Sequence, residues 1–502
     1  MSSPISRRAF LKSAALAGSL TLYDLTGARL LGAGPPPVSR AGRPAEEDAA
    51  GKAGVFDQAE DLTRQYLADM EQRLRAFLDK EDPPYSDELR MWLIHLVMLP
   101  GLSGAASSFL EYLGDSETAR TRLFFLMPLV RWMSEPFLFP LETKGSMKEQ
   151  EREMGKVFAL MDRLREEGFS ASLDNVGDAS LTPGDAKAYQ AYYAALIRAF
   201  LDADGAQELF MSLKLSALVH DLDAALDIGP AGQAKRGEIA AALTDLLGAA
   251  ARAPERNIFL RIDMEEYAYK DLTLGLFRQI VDDQPALVRD AAGRLRLGVV
   301  VQAYLRDAAR DVRMLAEWAR SRNLRAPVRL VKGAYLEYER ETAAREGRPS
   351  PVWDNKPSTD ANFEAVSAYA LLNRDALEPA FATHNIRSQA HAMALATTYG
   401  LPPEAAPIQM LYGMGDPIKR VVASMNRPLR AYVPAGSLAR GLKYAGRRFA
   451  ELAGSDNALA RTMRGDFSEM NSAAPVFTGE GDLKDAVAVR AILEEALESK
   501  KK

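Results

Sequence analysis

The chain has 502 residues, 47% of them hydrophobic, so it can bury a large core and is long enough for one big domain with appendages. Its net charge is only −5, from 63 basic and 68 acidic residues, which leaves no basic field for a nucleic-acid partner. It has no cysteine, which excludes disulfides, iron–sulfur clusters and a cysteine nucleophile; its four histidines, His95, His220, His384 and His391, lack the spacing of a transition-metal site, so redox chemistry would need an organic cofactor.

Ser6-Arg7-Arg8-Ala9-Phe10-Leu11-Lys12, followed by a mildly apolar run to Leu22, matches a twin-arginine export signal. Asp24 and Arg29 interrupt that run well short of the roughly 18–20 residues a membrane span requires. Residues 1–33 are therefore expected to be a signal peptide, cut after Ala28 or Ala33. The mature protein would be periplasmic or peripheral on the cytoplasmic membrane; a basic tail on a cytoplasmic protein is the alternative. Residues 34–55, with Pro35-Pro36-Pro37, cannot build a core and read as a linker. From 56 to 148, Leu62, Tyr66, Leu67, Met70, Leu74 and Phe77 recur at helical spacing and predict a helical arm. Its apolar runs at 91–99 and 123–130 suit buried helices, with quinone or peripheral membrane contact as the other reading.

Between 149 and 455 short β-type runs alternate with amphipathic helices. Eight such runs, at 169–174, 209–217, 258–263, 297–304, 328–334, 380–383, 408–411 and 431–434, imply parallel pairing and an α/β fold, the (β/α)8 TIM-type barrel. Their C-terminal ends present Asp174, Lys214, Asp263, Gln302, Arg329 with Lys332, Thr383-His384, Gln409 and Tyr432, which is enough polar chemistry for a cofactor-sized site. After the last run, Tyr444, Arg447, Arg448 and Glu451 fall at i, i+3, i+4 and i+7 and share one helix face. Two guanidiniums on one side are usually held by an anion, and their forks suit a carboxylate or phosphate. Residues 456–502 form a tail with one helix and no legible chemistry.

The motifs Ser212-Leu-Lys-Leu-Ser-Ala217, Ile262-Asp-Met-Glu-Glu266, Val300-Val-Gln-Ala-Tyr304, Arg329-Leu-Val-Lys-Gly-Ala-Tyr335, Phe381-Ala-Thr-His-Asn385, Gln409-Met-Leu-Tyr-Gly-Met-Gly415 and Ala431-Tyr-Val-Pro434, with the Tyr-x-x-Arg-Arg-x-x-Glu helix, resemble the proline dehydrogenase family. The resemblance implies an FAD-bearing barrel with its last helix over the top. It also implies oxidation of L-proline to Δ1-pyrroline-5-carboxylate by hydride transfer to the flavin, with electrons passed to a membrane quinone. By the same resemblance Arg447 and Arg448 clamp the substrate carboxylate, Lys214 adds a third cation, and Tyr432 and Tyr444, with Tyr304 and Tyr335, wall the pocket. Asp263 is the active-site carboxylate, expected to orient Lys214 or tune the charge. Arg329 joins Asp263 in the catalytic set and, with Gln302, contacts the flavin ring. Met264, Lys332, Gly333, Ala334, Thr383, His384 and Glu451 complete the cofactor shell, and no metal is expected.

Leu336-Glu337, Tyr412 and Asp416 depart from common family residues and bear on the flavin environment or the acceptor. A tail of this length, with no cysteine, implies a monofunctional enzyme. By the same resemblance, Tyr432 stands where members that prefer hydroxyproline tend to carry a small residue, which implies a preference for proline over hydroxyproline. A dehydrogenase of hydroxyproline or another cyclic imino acid, and an inactive barrel used as a binding protein, are the rival readings. The oligomeric state stays open.

Overall fold

A computed structural model describes residues 50–80, 137–141, 147–177, 179–203, 208–437 and 482–499, with short pieces at 108–110, 112–113, 116, 118, 441–442, 444–446, 448, 461–462, 466–467 and 474–478. The expected signal and the apolar runs at 91–99 and 123–130 lie outside the described residues. So do Arg447 and Glu451.

Helix α1 (Ala50–Lys80) starts inside the segment read as linker. It is followed by α2 (Met147–Glu166) and then by eight strands: β1 (Ser170–Asn175), β2 (Glu208–Leu213), β3 (Asn257–Ile262), β4 (Leu297–Gln302), β5 (Ala326–Val331), β6 (Leu377–Ala382), β7 (Ile408–Leu411) and β8 (Leu429–Gly436). Each pairs in parallel with the next, and β8 returns to β1 in a register that runs from Ser170↔Arg430 to Asn175↔Ala435, so the sheet closes on itself. The expected (β/α)8 barrel is the fold. A two-residue strand, Phe139–Pro140, pairs with the end of β8. Strands covered on both faces read as unbroken apolar runs, and Val299-Val300-Val301 in the fully buried β4 is the clearest case.

Helices α3 (Pro183–Asp202), α4 (Pro230–Ala250), α5 (Lys270–Asp283), α6 (Ala308–Ser321), α7 (Leu336–Arg345), α8 (Lys356–Leu372), α9 (Ile386–Thr398) and α10 (Asp416–Ser424) fall between strands. Several begin on polar caps written in the sequence. Thr182 and Asp185 form a reciprocal capping box at α3, while the Asn355 and Asn385 side chains accept from the backbone N–H of Ser358 and Ser388. The ends of β2 and β5 differ most from expectation, while β4 stops two residues early at Gln302 and β8 runs two residues further to Gly436. Strand β2 stops at Leu213, because the apolar residues that follow form a one-turn helix, Leu215–Leu218. Strand β5 stops at Val331, and Lys332, Gly333 and Ala334 belong to the loop above it.

The arm α1 lies against α9 and α10. Ala59, Leu67, Met70 and Leu74 are buried there. Polar contacts pin the same face: Thr63 meets His391 at 3.3 Å, the Tyr66 hydroxyl meets Thr397 at 3.0 Å, and Arg387 reaches both Glu60 and Glu364. At the other end of the chain α11 (Asp482–Ser499) is tied to the barrel by Arg306, which pairs with the fully buried Asp482 at 2.8 Å.

Candidate active site

The C-terminal ends of parallel strands gather at one mouth of such a barrel, so residues far apart in sequence meet there. Arg329, near the end of β5, is 5% exposed. It donates to Asp263, just beyond β3, in a very short contact, and to the Ser212 hydroxyl of β2 at 3.3 Å. Asp263 also accepts from the Tyr432 hydroxyl at 2.8 Å, and the Arg329 guanidinium stands 5.0 Å from the Tyr432 ring. Burial, then the charges of Asp174 and Asp263, push the Tyr432 phenol well above its usual range, so it remains a hydrogen-bond donor. One carboxylate thus fixes both a cation and an aromatic wall.

Lys214 directly follows β2. Its ammonium donates to both oxygens of Asp174 at the end of β1, at 2.9 and 3.0 Å. Burial alone would lower its pKa, but Asp174 and then Asp263 outweigh that and hold it above the ordinary lysine value. Asp263 does not hydrogen-bond Lys214 and acts on it through charge alone, the second of the two roles expected of it. The orienting role falls to Asp174, a strand-end residue seen in the sequence but not assigned a part in the site. The register explains the substitution: Asp174 pairs with Ser212, two residues before Lys214.

Around this pair the remaining candidates spread along four adjacent strand ends, β3 to β6. Gln302, at the end of β4, is 2% exposed and donates to the Glu265 carbonyl at 3.3 Å. Met264 is buried next to Asp263. Lys332 donates to Asp360 of α8, with burial lowering its pKa against that carboxylate's pull. Gly333 has φ +140°, and a Cβ there would meet the Tyr304 ring at 2.4 Å, so a side chain is excluded on both counts. Ala334 is exposed beside it. Thr383 is buried at the end of β6, and its hydroxyl accepts from the Asn385 N–H at 3.1 Å. His384 accepts from the Leu411 N–H through Nε2 at 3.0 Å, which leaves the proton of the neutral ring on Nδ1. Burial, with Lys419 and Arg448 adding, pushes its pKa down to about 3, so the ring acts as a dipole rather than a charge.

Arg448 and Tyr444 share a helix face as the spacing predicts, with the Arg448 guanidinium 5.0 Å from the Tyr444 ring. Tyr304 is buried and Tyr335 half-buried in the loops above β4 and β5. Nε of Arg329, Oε1 of Gln302 and Nδ1 of His384 are buried polar atoms at this mouth with no hydrogen-bond partner among the described residues. Buried polar atoms are seldom left unmet, so these three suit a polar ligand seated across β4 to β6.

The family profile described as "Proline dehydrogenase" matches residues 157–461. The chain belongs to the proline dehydrogenase family. It is 31% identical over 301 residues to the bifunctional protein PutA of Salmonella typhimurium, a match covering 58% of this chain and 22% of that one. It is 29% identical over 275 residues to proline dehydrogenase 1 of Bacillus subtilis, covering 55% of this chain and 76% of that one. The crystal structure of proline utilization A from Bdellovibrio bacteriovorus, inactivated by N-propargylglycine, is similar in fold, with 26% identity and a TM-score of 0.65, over 83% of this chain and 45% of that one. The sequence match thus spans about a fifth of the PutA relative's length and the structural match less than half of such a chain.

Proposed function

We propose that the protein oxidises L-proline to Δ1-pyrroline-5-carboxylate, with FAD as its cofactor and a quinone as the final acceptor. The observation that carries this reading is the cation cluster at the C-terminal mouth, Arg329 fixed by Asp263 and Lys214 fixed by Asp174, in a chain of this family. Arg329, Gln302 and His384 have the unmet polar atoms that would hold FAD, with Lys332 and Thr383 beside them. Bound there, FAD would supply the two-electron acceptor that no side chain of a cysteine-free protein provides.

The chain's own residues supply the rest. Arg448, with Arg447, would grip the substrate carboxylate, and Lys214, kept cationic by Asp174, would add to the same field. Tyr432 and Tyr444 would present apolar faces to a five-membered ring and keep water from it. The alternative substrate is a hydroxylated proline, which the Tyr432 ring would crowd.

The purified protein is expected to be yellow after reconstitution with FAD, and anaerobic L-proline is expected to bleach it. A protein that fails to take up FAD, or whose colour persists under proline, would sink this reading. A spectrum that responds to trans-4-hydroxy-L-proline as readily as to L-proline would widen the substrate class.

The cellular address is a separate proposal, motivated by Arg7-Arg8 and their flanking residues. The protein is exported by the twin-arginine route and works in the periplasm or on the membrane surface, close to its acceptor. No helix among the described residues is long and apolar enough to cross a membrane. Replacing Arg7 and Arg8 by lysine is expected to retain the protein in the cytoplasm with unchanged activity of the purified enzyme. A wild-type protein that is wholly cytoplasmic and uncut would show the pair to be coincidental.

A further inference from the structure

At the opposite end of the barrel, where the strands begin, there is a cavity of about 430 Å³ that the reaction above does not use. Its wall includes Arg261 of β3, Arg430 of β8, Arg374 before β6 and Gln409 of β7, which sits near the start of its strand and so faces this end rather than the C-terminal mouth expected of it. Arg261 is 8% exposed and Gln409 6% exposed, yet Nη1 of Arg261 and Oε1 of Gln409 have no hydrogen-bond partner. Nη1 of Arg430 and Nε of Arg374 are unmet as well. Leaving one buried polar group unsatisfied costs about 1–3 kcal/mol, so four at a single cavity call for an occupant.

The wall is also built to hold its guanidiniums in fixed planes. Arg430 lies 3.3 Å from the centroid of the Phe210 ring and Arg261 4.9 Å from that of Phe259, and the two rings pack together at 5.2 Å. Gly298 makes room for this pair, since a Cβ there would meet the Phe259 ring at 2.7 Å. Two of the four carboxylates that line the cavity act on these guanidiniums. Glu208 comes within 3.8 Å of Arg430, and Glu378 lies near enough to attract Arg261, Arg374 and Arg430. Six arginines and four carboxylates line the cavity, which leaves a positive surplus. It is enlarged by Arg329, which repels Arg261 and Arg430 from its place near the other mouth.

We propose that this N-terminal mouth is a second binding site, distinct from the candidate active site, and that it takes a small multiply charged oxyanion of the inorganic phosphate type. Planar guanidinium forks with spare N–H groups match such an oxyanion in geometry as well as charge. The volume admits a phosphate, or a short dicarboxylate of similar charge, with room for water around it. Burial lowers the Arg261 pKa well below the usual arginine range and brings that of Arg430 to about 10, and a seated anion would offset both that burial and the mutual repulsion. Because the site lies in the electrostatic reach of Arg329, its occupancy would also temper the field at the opposite mouth.

The test is calorimetric titration of the full chain with inorganic phosphate, and separately with succinate, at constant ionic strength set by chloride. Saturable binding near one equivalent is expected with wild type. A loss of at least about tenfold in affinity is expected in Arg261→Gln, where one buried charge-assisted donor is removed. Arg374→Gln, at a half-buried rim position, should weaken binding even if Arg261→Gln does not fold. Competition by succinate would identify an organic dicarboxylate as the natural source of the same chemistry. Absence of binding by either probe, or binding that neither variant weakens, would overturn the proposal. The readout is binding, so it stands or falls independently of proline turnover.

Discussion

Replacing Arg329 with methionine is expected to lower kcat/KM for L-proline by about 10²- to 10³-fold, the range seen when one preorganised charge donor is removed from an active site. The prediction rests on how fully this guanidinium is held: a carboxylate on one side, the Ser212 hydroxyl at 3.3 Å on another, an aromatic face at 5.0 Å, and an Nε left without a partner. A cation fixed in that way pays little reorganisation when charge develops beside it. Methionine keeps the apolar stem and removes the charge, so Asp263 and Tyr432 would keep each other. Arg329→Lys should recover only part of the loss, because one ammonium cannot reach both Asp263 and Ser212 with a fork's geometry. Initial rates for the three proteins, with FAD content measured on each, give the answer. Full kcat/KM in the methionine variant at equal FAD content would reduce Arg329 to a structural member of the barrel.

Arg448→Met is expected to act on binding instead. Loss of one charge-assisted partner of a carboxylate in a partly dry site costs on the order of 2–4 kcal/mol, which is roughly a 30- to 10³-fold rise in KM with a smaller change in kcat. Arg448 already faces the Tyr444 ring at 5.0 Å on the helix that follows β8, so the change leaves the barrel strands untouched. An unchanged KM would mean that the substrate carboxylate is gripped elsewhere, with Lys214 the next cation to test.

Much of this was legible because a barrel strand is a local signal. The run 408–411 coincides with β7, and the polar residues that close β3, β4, β5 and β6 are the ones that line the mouth. What the sequence did not disclose was pairing across strands. Lys214 and Asp174 sit on neighbouring strands whose relative register is written in neither, so the sequence offers Asp263 as the residue that orients Lys214 or tunes its charge and leaves Asp174 without a role. The end of β2 was misplaced because Leu215–Leu218 is apolar, and a short apolar run reads alike as strand or helix. Arg261 and Arg430 passed unnoticed for a related reason. A lone arginine in a run of apolar residues looks like an outward-facing charge until closure of the sheet turns it inward.

The docking of α1 has a consequence for the order in which the polypeptide matures. Glu60 finds Arg387 327 positions later, and Tyr66 meets Arg427 361 positions later. The stripe formed by Ala59, Leu67, Met70 and Leu74 is made early and covered late. At ribosomal speeds of about 5–20 residues per second, some 330 residues take roughly 16–65 s to appear. The sheet itself cannot close before β8 arrives to pair with β1. For that interval a nascent chain carries an apolar helix whose partners α9 and α10 have yet to appear, and whatever shields it must hold for tens of seconds and then let go.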